Sequence, residues 1–322
     1  MSPPVVSKPF DTPVLLLLWR RPDTTRRLLQ ALREVRPRQL FVACDGPRAG
    51  DAAMAAQVAA TRALVDEGVD WPCTLQRRFA DANQGCRDGV SGALDWFFGE
   101  VEAGLVLEDD CVPHPDFFRF GTAMLERFAH DERVWVVTGD NFQRGRVRGD
   151  GSYYLSRYPH CWGWGTWRRA WRHFDRHLGF WPAWRDSPAW QAWLPDTLER
   201  RYWATIFERI HRGQLVTSWA YPWTACVWHH GGLTVTPNAN LVSNIGTVDA
   251  GTHMDSRDAH LAPPAAPLGP LRHPSGLARD EAADAFTFDQ HFGGAAWRFP
   301  RVLWTLPQRA AGRALRAAGL AR

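Results

Sequence analysis

Leu105-Val106-Leu107-Glu108-Asp109-Asp110 is the stretch that decides the fold, because three aliphatic residues run directly into three carboxylates. A short apolar run of this kind is typical of a strand buried on both faces of a parallel sheet. Ligands of such sheets bind outside the carboxyl ends of the strands. Adjacent carboxylates repel one another unless a cation lies among them. The stretch therefore predicts a buried strand that ends in a cation site, with a solvated acidic turn as the alternative.

Strand and helix patterns alternate on both sides of this stretch through the first 140 residues. The predicted strands cover residues 13–19, 40–44, 74–79, 105–107 and 134–137, and the predicted helices cover about 23–35, 51–67, 87–101 and 117–128. Asp23 or Thr24 is expected to cap the first helix, and Asn83 is a candidate cap for the third. This alternation predicts an α/β fold with a doubly wound, mostly parallel sheet.

Composition restricts the class of protein. The 322 residues are 45% hydrophobic, which is enough for one large domain with appendages or two small domains. The net charge of +4 comes without a dense Lys/Arg run in the first 300 residues, so we expect no nucleic-acid partner. Six cysteines without a C-x-x-C pair favour reduced thiols over a zinc or disulfide scaffold. With no signal-like or membrane-spanning run in the sequence, we expect a cytoplasmic protein.

Polar side chains also follow the other predicted strands. Arg21, after the first strand, could pair with a diphosphate, or it could be a surface charge. Asp45, after the second strand, could accept an imide N–H from uracil or thymine, or it could belong to an Asx turn. Asn83 and Arg87 stand at the start of the third helix, whose N-terminus is a suitable anion site. The sequence therefore places several candidate ligands of a nucleotide at one edge of the sheet.

Tryptophan is unusually frequent, with 18 residues that cluster between 162 and 228. Trp162, Trp164 and Trp167 alternate with glycine, which would allow sharp bends that display flat rings. Such rings can stack on the apolar faces of sugars, so we expect part of this set to line an acceptor site and the remainder to fill the core. Further along, residues 240–246 precede Asp249 and His253. The histidine could complete the coordination of a metal, or it could be structural.

These motifs carry a resemblance. Residues 13–27, Asp45-Gly46, residues 83–86 and above all the segment 107–111 resemble bacterial family-2-like nucleotide-diphospho-sugar transferases. More remotely, they are similar to N-acetylglucosaminyltransferase I. Residues 162–171, 240–246 and His273-Pro274 are also similar to the bacterial family, and the resemblance covers about residues 12–290.

The resemblance implies a GT-A fold, a UDP-sugar donor and a divalent metal, Mn²⁺ or Mg²⁺. Asp110 would hold the metal, with His253 as a second candidate ligand. Glu108 and Asp109 would face sugar or ribose hydroxyls, Arg21 the diphosphate and Asp45 the uracil.

One position departs from the family pattern. These families place an aspartate after the first tryptophan of a Trp-x-x-x-Trp segment, where it resembles a catalytic base. Here the segment is Trp219-Ala220-Tyr221-Pro222-Trp223, and Ala220 cannot accept a proton. Asp249 is our candidate for a replacement base. The other carboxylates that stay open are Asp186, Asp196 and Glu199.

We therefore expect a GT-A domain over 12–260, with a nucleotide-sugar half (12–140) and a Trp-rich acceptor half (141–260). Residues 261–322 form a Pro-rich strap and a basic tail, which either contacts the inner membrane surface peripherally or packs as a terminal helix. The expected function is metal-dependent, inverting transfer of a sugar from a UDP donor to a surface glycan or lipid-linked acceptor. The alternatives are a degenerate domain that binds nucleotide or glycan without catalysis, and a sugar-nucleotide pyrophosphorylase. The latter would need a Gly-rich loop where Arg20-Arg21-Pro22 stands.

Overall fold

A computed structural model describes residues 10–246 and 263–300 of the protein, and a mostly parallel sheet of eight strands forms its centre. The strands are β1 (Val14–Leu18), β2 (Gln39–Cys44), β3 (Thr74–Phe79), β4 (Ala103–Glu108), β5 (Cys111–Pro113), β6 (Val134–Thr138), β7 (Tyr153–Ser156), β8 (Trp164–Trp167), β9 (Leu233–Pro237) and β10 (Val242–Asn244). Their order in the sheet is β3-β2-β1-β4-β8-β6-β9-β7, while β5 and β10 form a separate antiparallel pair. β8 runs antiparallel between β4 and β6.

Helices cover both faces of this sheet. They are α1 (Pro22–Val35), α2 (Ala52–Gly68), α3 (Cys86–Glu100), α4 (Pro115–Arg127), α5 (Arg168–Trp171), α6 (Trp181–Arg185), α7 (Pro188–Trp193), α8 (Thr197–His211), α9 (Ala220–His229) and α10 (Glu281–Gln290). The predicted α/β class with a doubly wound, mostly parallel sheet is confirmed. None of the described helices is long and apolar enough to cross a membrane.

Strand β1 shows why the sheet is buried on both faces. Successive side chains of a strand point to opposite faces. Val14, Leu16 and Leu18 pack into one core with α1, α2 and α4, and Leu15 and Leu17 pack into the other. No residue of β1 is more than 7% exposed. The uninterrupted aliphatic run is therefore required by two cores at once.

The second core explains the tryptophan count. Trp164, Trp203, Trp223 and Trp228 are each 1% exposed and pack together on one face of the sheet. Our expectation that Trp164 and Trp167 line an acceptor site is corrected here, because β8 is an interior strand and both rings are buried. Trp167 also donates its indole N–H to the carbonyl oxygen of Leu125 at 3.2 Å. Of the three tryptophans proposed as acceptor ligands, only Trp162 lines the cleft.

Two predicted helix caps are wrong. Helix α1 begins after Arg21, because Pro22 occupies the first helical position, where its fixed φ suits the helix and its missing N–H costs little. Helix α3 begins after Gly85, whose φ of 80° favours glycine. The side chain of Asn83 donates instead to Asp45 and to the carbonyl oxygen of Gly46. Both helices therefore start close to the predicted residues but through a different local mechanism.

A buried ionic network joins the end of the described chain to the acceptor half. The Arg157 guanidinium is 2.6 Å from a carboxylate oxygen of Glu199, and both side chains are 5% exposed or less. Asp284, which is fully buried on α10, accepts a hydrogen bond of 2.6 Å from the Ser156 hydroxyl and pairs with Arg279. These contacts link β7, α8 and α10. Residues 281–290, expected within a strap, thus form a helix that is docked on the acceptor half.

Replacing Arg157 with Met should destabilise the protein by about 3–5 kcal/mol, because it leaves Glu199 buried without its counter-charge. Arg33→Met is the matched control, since the Arg33–Asp70 pair is 46% and 56% exposed. Such an exposed pair contributes about 0.2–1 kcal/mol. Urea unfolding followed by tryptophan fluorescence measures both values. Equal losses of stability in the two variants would contradict a structural role for the network.

Candidate functional site

A cleft of about 1100 Å³ opens at the carboxyl ends of β1, β2, β4 and β6. It brings together the polar side chains that the sequence placed after separate strands. Among the predicted site residues, those that line the cleft are Arg21, Asp45, Asn83, Arg87, Glu108, Asp109, Asp110 and Trp162. Their proximity is a property of the fold, whereas their roles toward a donor, an acceptor or a metal stay predictions.

Arg21 holds the acidic segment in place. Its guanidinium donates to Asp109 at 3.2 Å and to Asp110 at 2.6 Å. The backbone N–H of Trp19 donates to the other oxygen of Asp109 at 3.2 Å, and the N–H of Asp109 donates to the carbonyl oxygen of Leu17 at 3.0 Å. The end of β4 is thereby tied to the end of β1 by both backbone and side chains.

When its three carboxyls are ionised, the segment carries more negative charge than Arg21 balances. Burial raises the pKa of Glu108 and of Asp109, and the nearby charge of Asp110 raises both further. Arg21 lowers the pKa of both carboxyls but does not cancel the increase. An additional cation would relieve this repulsion, and carboxylate oxygens are the ligands that hard divalent ions prefer.

The described residues form no group of three or more His, Cys, Asp or Glu side chains that could hold a metal ion without help. A divalent ion that takes one or two carboxylates and completes its shell with phosphate oxygens and water does not require such a group. Asp110 fits this arrangement better than Asp109, because its side chain is 15% exposed against 9%. The donor set thus suits an ion that binds together with a diphosphate.

Residues 240–246 pack against the acidic segment, as their strand β10 pairs with β5. The N–H of Ile245 donates to the carbonyl oxygen of Asp110 at 2.8 Å. A Cβ atom on Gly246 would lie 2.2 Å from a carboxylate oxygen of Asp110, so only glycine fits there without displacement. Asp249 and His253 follow in the sequence but lie outside the described residues.

The Asp45 carboxylate stabilises the loop before α3 by accepting hydrogen bonds from it. One of its oxygens accepts the N–H groups of Gly46 and Gln84, each at 2.8 Å, and the other accepts the Asn83 amide at 2.9 Å and the Gly85 N–H at 3.1 Å. A carboxylate offers about four lone-pair sites, so all are used. These contacts give Asp45 a structural role in the loop, but they do not form an Asx turn, because that turn uses the N–H two residues on and Pro47 has none. Recognition of uracil by Asp45 stays a prediction, and it would require one of the four hydrogen bonds to be given up.

Asp140 is a cleft residue that the sequence reasoning missed. It is 1% exposed, follows β6, and accepts a hydrogen bond of 2.9 Å from the N–H of Trp162. Its second oxygen has no hydrogen-bond partner among the described residues, and burial raises its pKa well above the ordinary value. Asp140 could have been predicted from the sequence in the same way as Asp45, because it too is a polar residue just after a predicted strand.

His160, His291 and Phe292 also line the cleft, but they come from distant parts of the chain and no local sequence pattern predicts their position there.

Comparisons with known proteins give limited similarity. No family model and no curated protein matches the chain. A mannosyltransferase from Pyrobaculum calidifontis, solved with GDP-Man and Mn²⁺, is 14% identical over 67% of this chain and 74% of its own, with a TM-score of 0.36. A cytidylyltransferase from Leptospira borgpetersenii is 10% identical over 51% and 63%, with a TM-score of 0.32. A mannose-1-phosphate geranyltransferase from Thermus thermophilus is 13% identical over 70% and 73%, with a TM-score of 0.31. All three solved structures are named as transferases.

Gly246→Ala should weaken manganese-dependent UDP binding by at least about tenfold, because the added methyl group displaces the Asp110 carboxylate. Gly99→Ala is the matched control, since a Cβ atom at this helical position meets nothing within 4 Å. Titration calorimetry with UDP and MnCl₂ measures the affinity, and thermal unfolding shows whether either variant is destabilised. If Gly246→Ala binds UDP as tightly as wild type, residues 240–246 do not determine the position of the Asp110 carboxylate in the UDP complex.

Proposed function

We propose that the protein is a metal-dependent, inverting glycosyltransferase that moves a sugar from a UDP-sugar to a hydroxyl of a surface glycan or a lipid-linked acceptor. The observation that carries the proposal is the arrangement of Arg21, Asp110 and the N-terminus of α3 around one cleft. These groups supply a guanidinium, a carboxylate for a metal, and an anion-binding helix end. A nucleoside diphosphate requires this combination of charges.

In this proposal, each side chain at the strand ends has its own role. Asp110, with His253 as a second candidate, would hold Mn²⁺ or Mg²⁺, which when bound neutralises charge that develops on a diphosphate leaving group. Arg21, which donates a hydrogen bond to Asp110, would contact the same diphosphate. Glu108 and Asp109 face sugar or ribose hydroxyls, and Asn83 and Arg87 stand at the helix end. Asp45 shapes the loop that borders the base.

The base for an inverting displacement must lie within hydrogen-bond reach of the acceptor hydroxyl. Ala220 lines the cleft but has no group that accepts a proton. We retain Asp249 as the candidate, since it follows Gly246 by three residues in the sequence and Gly246 abuts Asp110. Within the described residues, Asp140 is the second candidate because one of its oxygens lacks a partner.

Ala220 also supports a second function, that of a degenerate transferase domain that binds nucleotide or glycan without catalysis. Incubation with a panel of UDP- and GDP-sugars and with UTP plus sugar 1-phosphates separates the classes. Release of UDP supports the transferase, and release of pyrophosphate supports a pyrophosphorylase. If the wild type releases neither and Ala220→Asp releases UDP, the degenerate domain is the better description.

Asp110→Asn should reduce manganese-dependent UDP affinity by at least about 100-fold, more than the loss of an outer-shell partner usually costs. Asp70→Asn is the control, because Asp70 pairs with Arg33 on the surface and its side chain is 56% exposed. Calorimetry with and without MnCl₂ gives the comparison. If UDP binds Asp110→Asn as tightly as wild type, the metal assignment is wrong.

Asp249→Asn should keep UDP affinity and lower turnover by a factor on the order of 10²–10⁴, the usual contribution of a general base. Asp140→Asn, measured in parallel, should show normal UDP affinity and reduced turnover if Asp140 is the base instead. The readout is the rate of UDP release with saturating donor. Normal turnover in both variants would exclude both carboxylates as the base.

A further inference from the structure

Charged and uncharged residues line different parts of the cleft. Among the described lining residues, every Asp, Glu and Arg belongs to positions 21–140, the half that follows the strand ends. From Phe142 onward the described lining residues are aromatic, aliphatic or neutral polar. We call the part formed by residues 159–162, 219–221 and 291–292, with Phe142 behind it, the aromatic wall. It adjoins the acidic segment, because the Trp219 side chain hydrogen-bonds Glu108.

The rings of the aromatic wall are locked together. Phe142 stacks on His291 with 3.9 Å between ring centroids and meets the edges of His160 at 4.5 Å and Trp162 at 5.3 Å. Phe142 itself is 7% exposed, so it supports the other rings from behind. Trp162 is only partly buried, and its backbone is held by a hydrogen bond from its main-chain N–H to the Asp140 carboxylate. A preformed surface of mutually supporting rings results, and the partly exposed Trp162 ring is the one on which a ligand ring can stack.

The polar groups of this wall are uncharged near neutral pH. Burial lowers the pKa of His291 to about 4 and that of His160 well below its ordinary value, so both imidazoles are neutral. Nδ1 of His291 has no hydrogen-bond partner among the described residues, and the nearby charge of Arg144 lowers the pKa of His291 further. Burial also raises the pKa of the Tyr221 hydroxyl, which keeps it protonated. The wall therefore offers neutral hydrogen-bonding groups beside apolar rings.

We propose that the aromatic wall is the acceptor subsite and that it selects an uncharged glycosyl ring over uronate, sialate or phosphorylated sugars. This inference rests on the proposed glycosyltransferase function. A neutral ring places its C–H face on Trp162 and exchanges hydrogen bonds with water for hydrogen bonds with neutral side chains. An anionic ring would lose its hydration against aromatic surface and would approach the acidic segment, whose ionised Asp110 repels it.

The test uses matched pairs of methyl glycosides that differ only at C6, such as methyl β-D-glucopyranoside against methyl β-D-glucuronide and the galactose and mannose equivalents. Saturation-transfer NMR measures their binding to the full-length protein with saturating UDP and MnCl₂. We expect at least one neutral glycoside to bind about tenfold or more tightly than its uronate partner. Equal or tighter binding of the uronate overturns the inference, and so does the absence of binding by every neutral glycoside.

Two variants of Trp162 sharpen the result. Trp162→Phe should retain the preference for the neutral ring, whereas Trp162→Arg should reduce or reverse it by adding a positive charge to the wall. UDP affinity, measured on the same samples, reports folding and the donor site independently. If the wild-type protein does not bind UDP, this would count against the proposed function. Normal UDP binding with the same glycoside preference in wild type and Trp162→Arg would count against the aromatic wall alone.

Discussion

Repulsion among Glu108, Asp109 and Asp110 is the constraint around which the cleft is organised. Strand β4 is buried on both faces, so the chain leaves the sheet at a fixed point and delivers the carboxylates together. Arg21 offsets part of their charge, and its own position depends on β1, which pairs directly with β4. The remaining negative charge can be relieved by a bound cation or by protonation.

The two cores of the sheet support different parts of the cleft. The core with α1, α2 and α4 fixes the strand ends that carry the charged side chains. The tryptophan-rich core supports the aromatic wall, and two of its tryptophans, Trp203 and Trp219, also line the cleft. The ionic network of Arg157, Glu199 and Asp284 then attaches α10, and α10 leads directly to His291 and Phe292. Stability in the acceptor half and the shape of its wall thus depend on the same contacts.

Local sequence patterns predicted the parts of this arrangement that local physics determines. The aliphatic run of β1 and the acidic end of β4 required no knowledge of distant residues, and the strand-end rule placed Arg21 and Asp45 at one edge. The rule failed where a tertiary partner decides the outcome. Trp164 is a core residue because β8 inserts between β4 and β6, and Asp45 is saturated because the loop at 83–85 folds over it. His291 reaches the cleft through a helix whose docking depends on buried charges far apart in sequence.

Ala220 is consistent with this division of charge. Burial raises the pKa of Glu108, whereas a hydrogen bond from the Trp219 indole lowers it, so the residue before Ala220 touches the acidic segment directly. A carboxylate at position 220 would therefore add a further negative charge beside Glu108, Asp109 and Asp110. Alanine leaves the aromatic wall neutral and confines the carboxylates of the described cleft to the strand-end half. A base that serves such a site must come from that half, as Asp140 does, or from the chain that follows Gly246, where Asp249 stands.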